Sequence, residues 1–273
     1  MGILGWLSGG VRAGDLFSRV RPRYRAYWDR TLNAIVTVDL ADYGGRYAYY
    51  WGRCGDVLHQ TVLRRFLKPG DTYIDVGANI GFHSMFASRI VAGAGKVLSF
   101  EPHPETFRLL TAHLAINRIS NVCAHNVALG DAPGEALLSE ASETHSGTAT
   151  LRSAGSAVRS MPIRIEQGDA LLGAVEFGGD AFLKVDVEGF ELRVLRGLSR
   201  TLARINTAYV EVTPEWLASQ GVSATELYRE MARHDFTAYL PRLHWKWNLF
   251  APELRIDKIV TPLDCQHNVL FMR

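Results

Sequence analysis

The segment Asp75-Val-Gly77-Ala78-Asn79-Ile-Gly81 sets two glycines four positions apart, just after the apolar run Thr72-Tyr-Ile-Asp-Val76 and just before a stretch with helical periodicity. Glycines at the carboxyl end of a parallel strand let a ligand approach the backbone, and ligands of open α/β sheets bind at that end. The spacing is Gly-x-x-x-Gly with an acid two residues before the first glycine, whereas a diphosphate is seated by Gly-x-Gly-x-x-Gly at a helix N-terminus. A carboxylate there repels a diphosphate and suits a cation. S-adenosylmethionine, with a sulfonium and an α-ammonium group, fits this chemistry better than NAD does.

Two further segments carry charge at strand ends. Phe100-Glu101-Pro102 follows about 20 residues after the glycines, where an acid can accept both hydroxyls of a ribose. Lys184-Val-Asp186-Val-Glu188 puts three charges within five residues of an apolar strand, which is costly unless they are paired or functional. Were a bound S-adenosylmethionine to pass its methyl to a hydroxyl, the hydroxyl proton would have to be removed, so a carboxylate or a metal would be expected beside the methyl group. Asp186 is the first candidate. Glu188 reads equally as a catalytic group or as an acid opening the following helix, and Glu191 reads as a cap. Lys184 reads as a partner for one of these acids. Glu211, in Tyr209-Val-Glu211-Val, faces Asp186 if the two strands are neighbours; the pair could hold a divalent cation, or Glu211 could orient a substrate hydroxyl. A direct carboxylate base is preferred to a metal at Asp186 and Glu211, because few oxygen ligands are visible and no histidine is spaced to join them. Of His83, His103 and His145, only His145 is placed to reach an acceptor. The aromatic segment Leu243-His-Trp245-Lys-Trp247 reads as core packing, or alternatively as a platform for a sugar ring.

The elements that must position these groups follow from the rhythm of the chain. From residue 71, runs rich in β-branched residues (72–76, 96–100, 122–127, 181–187, 208–212) alternate with helix-period stretches, the mark of βαβ units around a parallel sheet. Phe82, Met85, Phe86 and Ile90 make one helical face; Phe107, Leu110 and Leu114 make another. Residues 131–168 break this rhythm as a β-rich insertion. Helices follow over 214–220 and 225–233, then strands near 237–240 and 268–272. Upstream, 34–40 and 46–51 read as strands, and Asp56 as the N-cap of a helix ending at Lys68-Pro-Gly70. The expected division is an N-terminal extension, 1–70, and a catalytic domain, 71–273.

Composition excludes several classes. The 273 residues are 47% hydrophobic and 21% charged with net charge +2, which argues against disorder and gives no electrostatic footprint for nucleic acid. Cys54, Cys123 and Cys265 show neither disulfide nor zinc spacing. No run of about 18 apolar residues is present, and the amino terminus lacks the pattern of a secretory signal. The expected setting is the cytoplasm. Residues 1–30 hold six arginines against Asp15 and Asp29, a local charge of +4. A docking helix with solvated arginines is the preferred reading, and weak attachment to an anionic membrane face is the second.

The segments 75–81, 100–102, Asn126-Val127-Ala128-Leu-Gly130 and 184–191 together resemble the FkbM family of S-adenosylmethionine-dependent methyltransferases, over about residues 71–213. The resemblance implies a class I methyltransferase fold, a seven-stranded, mostly parallel sheet with one antiparallel strand and helices on both faces. It implies O-methylation of sugars or other hydroxyls. Asp75, Gly77 and Gly81, with Ala78 and Asn79 between the glycines, would hold the methionine end of the cofactor. Glu101, followed by Pro102, would hold the ribose, and Asn126, Val127 and Ala128 the adenine edge; Asn126 reads equally as a turn residue. The implied partner is a small-molecule or glycan acceptor. The alternatives are a non-sugar alcohol acceptor and a non-catalytic cofactor-binding scaffold of a membrane assembly.

Overall fold

The computed structural model describes residues 23–140, 149–150, 159–245 and 252–273. Arg12, Arg19 and Arg21 of the basic stretch, His145 and Trp247 lie outside these residues, so the expectations placed on them are not addressed.

The described chain begins with an antiparallel hairpin, β1 (Tyr24–Asp29) and β2 (Ala34–Asp39), then helices α1 (Tyr43–Trp51) and α2 (Val57–Phe66). There follow β3 (Thr72–Val76), α3 (Phe82–Val91), β4 (Lys96–Phe100), α4 (Pro104–Ile116) and β5 (Val122–His125). Next come β6 (Ala128–Gly130), β7 (Gly134–Glu140), β8 (Ala149–Thr150), β9 (Arg159–Gln167) and α5 (Gly168–Leu172). The chain continues with β10 (Ala181–Val185), α6 (Glu191–Gly197), α7 (Ser199–Leu202), β11 (Thr207–Val212), α8 (Pro214–Ser219) and α9 (Ala224–Arg233). It ends with β12 (Thr237–His244), β13 (Glu253–Lys258) and β14 (His267–Met272).

The main sheet has the order β13-β12-β14-β11-β10-β3-β4-β5. Strands β11, β10, β3, β4 and β5 are mutually parallel, and β14 runs against both β11 and β12. Seven of these strands, with β14 reversed, form the class I methyltransferase arrangement. The eighth, β13, corrects the expected count: it adds antiparallel to the edge strand β12. Its sequence, Glu-Leu-Arg-Ile-Asp-Lys, half-buries Leu254 and Ile256 while its charged residues are mostly exposed, a composition that discourages further edge pairing. Strand order reverses between β3 and β10, and the ends of these two strands carry Gly77 and Asp186.

Both faces of the sheet are covered, which is why all five residues of β3 and all five of β10 are buried. On one face Ile74, Leu98 and Leu183 pack with Leu192, Leu195 and Met231. On the other, Tyr73, Phe182 and Leu270 pack with Val36, Val62, Leu63 and Met85, so the hairpin and α2 belong to the same core as α3. The insertion is a separate four-stranded sheet, β6-β9-β7-β8, in keeping with its β-rich reading.

Two local expectations are corrected. Residues 46–51, rich in Tyr and Trp, form the end of helix α1 and not a strand. Asp42 caps that helix by accepting from the Gly45 amide at 2.7 Å, and Gly52, at φ 62°, closes it in the left-handed conformation. These caps outweigh the β propensity of the aromatic residues. The end of the basic stretch is strand β1 rather than helix; the arginine just before it, Arg23, pairs with Asp39 at 2.6 Å. Asp56 caps α2 as expected, accepting from the His59 amide at 3.0 Å. Among the described residues no helix is long and apolar enough to cross a membrane.

Candidate active site

A cavity of about 830 Å³ opens at the carboxyl ends of β3, β4 and β10. Its wall includes Gly77, Ala78, Asn79, Glu101, Pro102, Val127, Ala128, Asp186 and Glu188, and its N-terminal side is made by Tyr24, Tyr43 and Tyr47. Leu138 and Ile163 of the insertion also reach it. The volume falls in the range of sites for cofactors and drug-sized ligands.

The glycine loop is shaped by its neighbours. Gly77 sits at φ 79°, and a Cβ there would collide with the carbonyl oxygen of Asp186, so only glycine lets β3 and β10 close together at this point. Every amide of the loop has a protein acceptor. Gly77 and Ala78 donate to the Phe100 carbonyl, each at 3.0 Å, and Gly81 to the Ala78 carbonyl at 3.0 Å. Asn79 donates to Glu101 Oε2 at 2.8 Å, and Ile80 to Asn79 Oδ1 at 2.7 Å. A diphosphate site needs such amides unpaired and aimed at the ligand; here they hold the loop instead.

Glu101 is 7% exposed and accepts from the Asn79 amide on one oxygen and the His103 amide, at 2.9 Å, on the other. Burial raises its pKa, and those two amide bonds oppose the rise. Each carboxylate oxygen keeps a second lone pair, enough to accept two hydroxyls. Asn126 does not line the cavity. Its amide group donates to the carbonyls of Glu101, at 2.8 Å, and Pro102, at 3.0 Å, tying the link after β5 to the link after β4, while Val127 and Ala128 form the wall itself.

Asp75 is fully buried and lies under the loop, not on the cavity wall, which corrects the expectation that it meets the ligand's ammonium group. Its Oδ2 accepts from Ser84 at 2.6 Å, and Lys184 Nζ is 3.3 Å from Oδ1. That same ammonium is 3.3 Å from Asp186 Oδ2 and donates to the Gly77 carbonyl at 2.7 Å. Burial disfavours the charge on Lys184, but Asp186 and Asp75 overcome it and hold its pKa above the ordinary value. The register Val185↔Val210 brings Asp186 beside Glu211. Burial first, then the charge of Asp186, pushes the Glu211 pKa up; Gln266, donating to it at 2.8 Å, opposes this. Glu188, at φ 53°, is pushed up to about 9 by burial and by the nearby charges of Asp186 and Glu211. Glu191 is 1% exposed and accepts from the Gly189 amide at 3.0 Å, so it shapes the turn before α6 as a capping acid would; burial raises its pKa to about 7. The strand ends thus hold several carboxyls beside one buried ammonium, a site that favours a cation and can accept a proton.

His103 has a structural role, as read, whereas Trp245 is placed differently from expectation. His103 caps α4 by accepting from the Thr106 amide at 3.3 Å. Trp245 is 48% exposed and lines neither core nor cavity. Not singled out by sequence was a group formed by Asp56, His59 and His83, brought together by α2 and the first turn of α3, with Asp56 and His83 on the cavity wall. Burial opposes the Asp56 charge, yet His83 and His59 hold its pKa below the ordinary value, and burial keeps His59 neutral. The capping role of Asp56 was readable; its approach to His83, 27 positions away, was not.

Comparison with known proteins places the chain in a family. The methyltransferase FkbM domain family matches residues 75–238, more than half of the chain. The hexuronic acid methyltransferase AglP of Haloferax volcanii is 32% identical over 156 residues, 56% of this chain and 62% of that protein. Methyltransferase 1 of Beauveria bassiana is 30% identical over 149 residues, 48% of this chain and 59% of that protein. The chain therefore matches less than two thirds of either relative's length. Among solved structures, the methyltransferase FkbM of Methylobacillus flagellatus KT is similar at 15% identity and a TM-score of 0.46, over 98% of this chain and 60% of that one.

Proposed function

The chain belongs to the FkbM family of S-adenosylmethionine-dependent methyltransferases, and from that premise we propose that it methylates a hydroxyl group of a sugar. The observation that carries this reading is a single cavity whose wall includes the glycine loop and Glu101, the carboxyls Asp186 and Glu188, and an aromatic rim of Tyr24 and Tyr43. Tyr24 and Tyr43 are 42% and 69% exposed, and aromatic faces of this kind stack on sugar rings. That the relative AglP is described as a hexuronic acid methyltransferase supports an acceptor of the same class.

In this reading Glu101 accepts the ribose hydroxyls, Ala78 and Asn79 flank the methionine end, and Val127 and Ala128 flank the adenine. When bound, the cofactor would supply an activated methyl on a sulfonium and leave as a neutral thioether. Asp186 takes the hydroxyl proton, and Lys184, 3.3 Å from its Oδ2, holds the carboxylate in position. The protein otherwise aligns the two reactants, which accounts for much of such a barrier. A divalent cation at Asp186 and Glu211 fits less well, since among the described residues no third His, Cys, Asp or Glu joins them as a ligand group.

The test is an assay of the purified chain with S-adenosylmethionine and a panel of acceptors: saccharides ending in a hexuronic acid, neutral saccharides and a polyketide alcohol. Mass spectrometry should show one methyl gained by a saccharide, in a form that survives mild base as an ether does. A base-labile methyl would place it on the carboxylate as an ester and overturn the hydroxyl reading; methylation of the polyketide alcohol alone would overturn the sugar reading.

A further inference from the structure

We propose that Asp56, His59 and His83 form a binding site for one divalent transition-metal ion, at the edge of the cavity and separate from the Asp186–Glu211 pair. One ligand atom from each residue lies within 4.8 Å of the other two. His83 Nε2 is 3.4 Å and His59 Nδ1 is 3.9 Å from Asp56 Oδ2. Two ligands of a tetrahedral ion, each about 2.0–2.2 Å from it, stand roughly 3.3–3.6 Å apart. The first separation falls in that range and the second is a few tenths of an ångström longer.

The surroundings fit the same assignment. Asp56 Oδ1 is engaged by the His59 amide, which leaves Oδ2 directed at the two rings. His59 is 1% exposed, stacks on Tyr209 with ring centres 4.4 Å apart, and has Nε2 3.5 Å from the Tyr73 hydroxyl. A metal-bound histidine commonly has its second nitrogen held this way, fixing the ring with the first nitrogen toward the ion. The two imidazoles lie with centres 4.1 Å apart, tilted by 44°. The Tyr209 hydroxyl is buried without a hydrogen-bond partner, a polar atom for which the protein alone provides nothing. Two nitrogens and one oxygen suit zinc and its neighbours rather than magnesium or calcium, which prefer oxygen ligands. Because Asp56 and His83 also line the cavity, the remaining coordination position opens toward it.

The probe is Co²⁺, added to the full-length chain after chelator treatment and followed by visible absorption, with Zn²⁺ as competitor. One equivalent should bind with the intense bands of four- or five-coordinate cobalt, and Zn²⁺ should displace it. His83→Gln, at a partly exposed position, and Asp56→Asn, which keeps the cap, should each weaken binding by about 10-fold or more. The proposal is overturned if the folded wild-type chain binds no stoichiometric Co²⁺, or if both variants bind it as tightly with unchanged bands. Affinity for S-adenosylhomocysteine, measured on the same samples, reports on the methyltransferase reading independently.

Discussion

Lys184 Nζ donates to the carbonyl oxygen of Gly77 at 2.7 Å, joining the end of β10 to the glycine loop after β3. The same ammonium lies between the carboxylates of Asp75 and Asp186. One buried cation therefore sets the loop and the candidate base in a fixed relation.

Replacing Lys184 with methionine removes the cation and leaves Asp75 as a buried, unpaired charge. Breaking a buried pair in this way costs about 3–5 kcal/mol. Denaturant unfolding of Lys184→Met should show a loss of that size, with the cofactor site weakened as the loop loses its anchor. A loss below about 1 kcal/mol would mean that the ammonium does not hold this junction.

Glu101→Ala removes the carboxylate expected to accept the ribose hydroxyls. Hydrogen bonds to a charged group contribute about 1.5–3 kcal/mol, so S-adenosylhomocysteine should bind about 10- to 100-fold more weakly by calorimetry. NAD should bind to neither protein, because the loop amides are already paired. Unchanged affinity in the variant would remove Glu101 from the site.

The parts legible in the sequence are those whose chemistry is local or whose periodicity is strong. The glycine spacing placed the loop, and the β-branched runs placed β3, β4, β10 and β11; adjacency of the last two then brings Asp186 beside Glu211. Asp75 was misjudged because alternation cannot tell the two faces of a doubly covered strand apart, and its side chain turns toward Ser84 and Lys184 rather than the cavity. The helix over residues 43–51 was hidden because aromatic β propensity spoke louder than a single Asp and Gly at its ends. The cluster of Asp56, His59 and His83 was hidden because α2 meets α3 only through the tertiary fold.

Glu188 makes the folded state pH-dependent. Its folded pKa, about 9, lies above the ordinary 4.5, so between those values the folded chain holds a proton that the unfolded chain has lost. Stability from this group is present below about pH 4.5 and is lost as pH rises toward 9. Glu188→Gln cannot ionise and should escape that loss. Thermal melts should therefore show the variant more stable than wild type at pH 8.5 and equal to it near pH 4; a gap that grows toward acid would contradict the assignment.

The most direct measurement compares Asp186→Asn with wild type for two quantities, turnover with an accepted saccharide and affinity for S-adenosylhomocysteine. If Asp186 takes the acceptor proton, turnover should fall by about 10²-fold or more, the scale of general-base catalysis, while cofactor affinity stays nearly unchanged. Turnover close to wild type in that variant would show that the proton leaves by another group and that the chemistry is not centred on the end of β10.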